Sequence, residues 1–183
     1  MNKIFRILFL LFFNIFLISG QTLSDEKKIR IGLLVPLSGD NAELGEQIIK
    51  ATRMALKDIN SNIIEIFPKD TKSSPNETLR SAIEFSQIGV NLVVGPIFYD
   101  NLAYLDEVKD ITFLSLTNKT LNLPKNVIST GINSTSQLNT IQKFIKLNNI
   151  EKTIFLTPTS NYDLEIKEGI KDSKIKIFKD YYY

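Results

Sequence analysis

The stretch RIGLLVPLSGDNAELGEQIIKATRMALKDIN, Arg30 to Asn60, decides the fold. Its first six residues are a buried apolar strand that halts at Pro36. A short polar turn, Pro36 to Asn41, follows. From Glu43 to Asn60 apolar residues recur at helical spacing, with Ile48, Ala51, Met54, Ala55, Leu56 and Ile59 on the expected inward face. A strand that turns directly into a helix presents backbone N–H groups at its bend. The bend is not a phosphate loop, because it has neither a Gly-Lys-Ser/Thr ending nor the GxGxxG spacing. Nor is it a nucleophile elbow: Ser38 follows Leu37 rather than sitting in GxSxG, and the chain has no His to activate it. Two readings remain. Ser38, Gly39 and the nearby N–H groups hold an anion or carboxylate, or Ser38 and Asp40 only shape the turn and cap the helix.

The same unit repeats outward from this stretch. KIRIGLLVP, from Lys28, is the whole first strand, and NIIEIFPK is a second. Pro75 opens a helix at its preferred first position and runs to about Gln87, with Leu79, Ala82, Ile83 and Ser86 on one face; Gly89 stops it. VNLVVGP is a third strand, followed by a helix from about Tyr99 to Val108. ITFLSLTN is a fourth strand. Near-continuous apolar strands alternating with helices predict an α/β chain: a Rossmann-like parallel sheet with helices on both faces. Right-handed crossovers then gather four turns at the carboxyl edge of the sheet: Pro36 to Asn41, Asp70 to Ser74, Gly95 to Asp100, and Leu116 to Thr120. Open α/β sheets bind their ligands at that edge.

The turns supply candidate groups. Gly95 lets backbone approach closely, either to a neighbouring strand or to a ligand, and Pro96 stiffens the exit. Phe98 and Tyr99 pack on a ligand or under the next helix, and Asp100 is placed to cap it. Ser115, Thr117 and Asn118 can bond a polar ligand or close an Asx-type turn. Asp70 is expected to hold its turn rather than touch ligand.

Past Leu121 the texture becomes loop-like, NLPKNVISTGINSTSQ, with a short extended piece at Val127 to Thr130. A second unit follows: a helix Gln137 to Asn148, the strand KTIFLTP, a helix Asp163 to Lys171, and the strand KIKIFKDYYY. Tyr162, in the turn TPTSNYD, faces the cleft from the opposite side in this reading. A lone βαβ unit lacks partner strands. Either it adds to the first sheet or it is the start of a second domain cut short, and the loop-like break before it favours the second.

The first 20 residues carry Lys3 and Arg6, then an apolar run from Ile7 to Ile18 broken only by Asn14, then Ser19 and Gly20. That order is the grammar of a secretory signal, and the run is shorter than the ~20 apolar residues of a spanning helix. An uncleaved anchor is the alternative; both export the domain to the periplasm. The 183 residues carry 22 Lys+Arg against 20 Asp+Glu. Setting aside Lys3 and Arg6 leaves the mature chain neutral, without the basic excess of a nucleic-acid binder. The chain has no Cys and no His. It therefore holds no disulfide, no Ser-His-Asp triad and no Cys- or His-based metal site. A non-catalytic protein without cofactor or metal is expected.

The ordered set of PLSG, Asp70 after the second strand, Gly95-Pro96 after the third and Thr117-Asn118 after the fourth resembles the type I periplasmic binding-protein fold. Within it the chain is similar to the leucine/isoleucine/valine-binding group. The resemblance implies a first lobe at 28–131, the start of a second at 132–183, and closure of both on a small molecule. It also implies a solute-binding protein of an ABC transporter, taking an amino acid or similar polar molecule to an ABC permease. Ser38, Gly39, Gly95, Pro96, Tyr99, Thr117, Asn118 and Tyr162 would line the site. Tyr99 stands where that group carries a small hydroxyl residue for the ligand carboxylate, and Leu116 where a smaller residue leaves room. VVGPIFYDNL and ITFLSLTN look at least as similar to a sister group, the penicillin-binding-protein activators. Those regulate peptidoglycan synthases through protein contacts.

Overall fold

A computed structural model describes residues 28–157, 159 and 163–183. The expected signal, at residues 1–20, lies outside them, as does Tyr162. Five parallel strands form one sheet: β1 (Ile29–Val35), β2 (Ile64–Asp70), β3 (Leu92–Val94), β4 (Thr112–Ser115) and β5 (Val127–Ser129). Their order is β2-β1-β3-β4-β5. Pro68 lies in β2, which is an edge strand, where its missing N–H costs no ladder bond on the open side. The helices α1 (Ala42–Ile59) and α2 (Pro75–Gln87) are the first two crossovers. After Ser129 the chain builds a second unit. It comprises α3 (Ser134–Leu147), β6 (Ile154–Thr157), α4 (Asp163–Ser173) and β7 (Lys179–Tyr182), with β6 and β7 paired in parallel. The Asn133 side chain caps α3 by accepting from the Ser136 N–H at 2.9 Å.

The main core lies on one face of the large sheet. Phe85, Ala82, Val93, Phe113, Leu102, Leu105 and Ile111 are buried there together. Three expectations need correction. The buried face of α2 is Thr78, Ser81, Ala82 and Phe85, and Ile83 is exposed. Phe85, the largest apolar side chain of the helix, turns inward against Gly32, where a Cβ would stand 2.7 Å from its ring.

Second, 99–108 is not one α-helix but two 3₁₀ turns, Tyr99–Leu102 and Leu105–Glu107. Leu102, Leu105, Val108 and Ile111 are all buried at intervals of three.

Third, α1 buries less than its pattern implies. Ile48 and Leu56 are half-buried, but Ala51, Met54, Ala55 and Ile59 are exposed. Met54 is 68% exposed.

The second unit also shows much apolar surface, including Leu156, Phe178 and Phe144. Its last strand is confined to Lys179–Tyr182, within the longer stretch read from the sequence. Among the described residues no helix is long and apolar enough to cross a membrane.

Candidate functional site

Because all five strands run parallel, the turns after β1, β2, β3 and β4 meet at one edge of the sheet. Asp70, the last residue of β2, organises the first two. Its Oδ1 accepts from the Leu37 N–H at 2.7 Å and from the Lys72 N–H at 2.8 Å. Its Oδ2 accepts from the Ser38 hydroxyl at 2.6 Å. Burial alone would push the Asp70 carboxyl up. The Ser38 hydroxyl and the Leu37, Lys72 and Ser38 N–H groups outweigh it and hold the group below its ordinary value. The turn needs such support, because Lys72 and Ser73 adopt φ values of 47° and 54°, the left-handed region that costs non-Gly residues energy. Asn41 reinforces the junction, donating to the Ser73 hydroxyl at 3.1 Å. The starts of α1 and α2 are thereby held side by side.

Gly95 and Pro96 are buried. Gly95 has φ +102°, and a Cβ on it would stand 2.2 Å from the Leu34 carbonyl oxygen, so its close approach is to strand β1. The Pro96 carbonyl accepts from the Ser115 hydroxyl at 2.8 Å and from the Leu116 N–H at 3.0 Å. This turn clamps β3 to β4.

Tyr99 packs at the margin of the core. Its hydroxyl donates to the Leu121 carbonyl at 3.3 Å, and Lys119 Nζ lies 4.4 Å from its ring centroid. Asp100 does not cap the turn that follows: the cap position is Phe98, without a side-chain bond. Thr117 is 5% exposed, and its hydroxyl accepts from the Lys119 N–H at 3.3 Å. Its carbonyl accepts from the Ser129 hydroxyl at 2.7 Å and the Gly131 N–H at 3.1 Å. Ser38, Gly39 and Asn118 are exposed at the same edge. A Cβ on Gly39 would meet nothing within 4 Å, so open space lies in front of the first turn.

Sequence reasoning placed Asp70 as the holder of its turn. It missed two residues that tie the two units together. Gly131 lies in the connecting segment, where a Cβ would stand 2.4 Å from the Thr117 carbonyl oxygen. Glu165, on α4, accepts from the Thr120 hydroxyl at 2.9 Å and from the Leu121 N–H at 3.1 Å. A Glu on an amphipathic helix reads as solvent-facing, and its partners lie more than forty residues away. No local signal points to them.

Comparison with known proteins gives this edge its context. No curated protein matches the chain in sequence. Among solved structures, full-length LpoA from Haemophilus influenzae is similar, with TM-score 0.69 and 20% identity over 85% of this chain and 30% of that one. The LpoA C-domain from the same organism, described as a regulator of PBP1A, gives 0.67 at 21% identity, covering 84% of this chain and 50% of that one. The leucine binding protein LivK from Thermotoga maritima gives 0.55 at 14% identity, covering 85% and 48%. The chain thus spans between 30% and 50% of the length of these structures. At such identities the likeness establishes the fold, an α/β periplasmic-binding-protein lobe with a parallel central sheet. The family model described as periplasmic binding protein matches residues 28–174. The chain therefore belongs to the periplasmic binding protein family.

Proposed function

We propose that this protein is an exported regulator of peptidoglycan synthesis, similar to the penicillin-binding-protein activators, and that it works through contact with a synthase. One observation carries the reading: three of the rim hydroxyls, those of Ser38, Ser115 and Tyr99, already spend their protons inside the protein. A hydroxyl has one proton to donate. Ser38 gives its proton to Asp70, Ser115 to the Pro96 carbonyl and Tyr99 to the Leu121 carbonyl. A ligand carboxylate arriving at the edge would have to break these bonds or turn to other groups, such as the Thr117 hydroxyl and backbone N–H groups. The similarity to a described regulator of PBP1A agrees with this reading. So does the secretory pattern of residues 1–20, which would take the chain to the periplasm. Division into a lobe at 28–131 and the start of a second at 132–183 belongs to the same proposal.

A second reading, a solute-binding protein feeding an ABC permease, is favoured by a different observation. The starts of α1 and α2 sit together beside open space at Gly39, a place suited to an anionic group. Ser38, Gly39, Thr117 and Asn118 would then face the solute.

Thermal unfolding separates the two. An amino acid at a hundredfold excess over its Kd would stabilise the fold by about 2.7 kcal/mol. The regulator reading expects no such rise across the twenty amino acids, and it expects retention of the chain by the immobilised periplasmic portion of a peptidoglycan synthase. A rise with one amino acid, without retention by the synthase, overturns it.

A further inference from the structure

We propose that Glu165 is a built-in clasp, holding the second unit against the rim of the first without any ligand. Glu165 is 7% exposed, and its carboxylate is met by donors from a single loop. The Thr120 N–H lies 3.2 Å from Oε1 and 3.3 Å from Oε2. The Thr120 hydroxyl lies 2.9 Å from Oε2, and the Leu121 N–H 3.1 Å from Oε1. A charged acceptor withdrawn from water and met by several donors forms strong bonds, and leaves a large penalty if its partners are removed.

The two ends of the clasp belong to different units. Glu165 sits on α4, which packs closely on α3: at Gly169 a Cβ would stand 3.1 Å from Leu138 Cδ1. Thr120 and Leu121 follow β4 of the large sheet. Their loop is fixed from the first unit's side by the Tyr99 hydroxyl on Leu121 and by Lys119 over the Tyr99 ring. Glu165 therefore grips a loop already anchored in the first unit.

The covalent link between the units runs past the same rim. Thr130 and Gly131 donate their N–H groups to the Ser115 and Thr117 carbonyls at 2.8 and 3.1 Å. Link and clasp give the second unit two attachments to one edge, and two attachments fix an orientation that one would leave free. In a binding protein closed by its solute, ligand contacts supply the second attachment. Here a side chain of the protein supplies it. The clasp is independent of which partner the protein meets, so its test and the synthase test fail separately.

The chain has no Cys, so two introduced cysteines can carry spin labels without background. The exposed Lys57 on α1 and Lys143 on α3 suit this purpose. In the ligand-free full chain carrying Lys57→Cys and Lys143→Cys, pulsed electron resonance should give one narrow distance distribution. Adding Glu165→Ala should broaden it and move it to longer distance, and Glu165→Gln should fall between. An unchanged distribution in Glu165→Ala overturns the clasp. Should that variant fail to fold, hydrogen exchange in the chain with Glu165 intact decides. Slowed exchange at both Thr120 and Leu121 N–H supports the clasp, and exchange of either at the rate of an unstructured peptide overturns it.

Discussion

Asp70 shows how one side chain can be structural at a place where function is expected. Donors from two loops converge on it, and the Lys72–Ser73 turn beside it is held in an unfavourable conformation. Asp70→Ala is expected to cost about 1–3 kcal/mol in urea unfolding, the penalty of leaving such donors without their acceptor. Folding lowers the Asp70 pKa below its ordinary 3.8. Its contribution to stability is therefore complete above that value and is lost as pH falls through the lower folded value. Stability measured from neutral pH into acid should show this loss in the natural chain, and the component should vanish in Asp70→Ala. At this scale much was legible. The position of Asp70 after an apolar strand and before a Ser-rich turn pointed to a turn holder. Whether Ser38 faced a ligand or Asp70 was not legible, because a hydroxyl's partner is chosen by geometry across 32 residues of sequence.

Elements were read well where pattern and packing agree. The strands, Pro75 at the first turn of α2 and the parallel order all follow from apolar runs separated by crossovers. Packing overrode pattern in α2, where the slot above Gly32 selected Phe85 over Ile83. Phe85→Ala should cost about 3–5 kcal/mol, whereas Met54→Ala on the open flank of α1 should stay within about 0.5 kcal/mol. Chemical denaturation of the two variants side by side checks which face is core. In the segment 99–108 a helix was expected, and the buried Leu102 and Leu105 lie instead in two separate 3₁₀ turns. Gly131 is a test of the connection between units. A methyl there meets the Thr117 carbonyl, so Gly131→Ala should destabilise by about 1–3 kcal/mol, read as a lower thermal midpoint.

For the whole molecule, the parallel sheet fixes what the chain can offer a partner: an edge of convergent loops, several of whose polar groups are turned inward to hold the loops themselves. Family membership could be read from the order of its turns, since each turn motif sits where the sheet topology requires it. The role within the family was not legible in the same way, because a leucine binding protein and a regulator of PBP1A share the scaffold. Glu165 was invisible for the related reason that its partners belong to the other unit. The most direct measurement is a calorimetric titration of the chain with the periplasmic portion of a peptidoglycan synthase, run beside the same titration with amino acids. Saturable heat with the synthase and none with the amino acids is the expected result. Saturable heat with an amino acid and none with the synthase would contradict it.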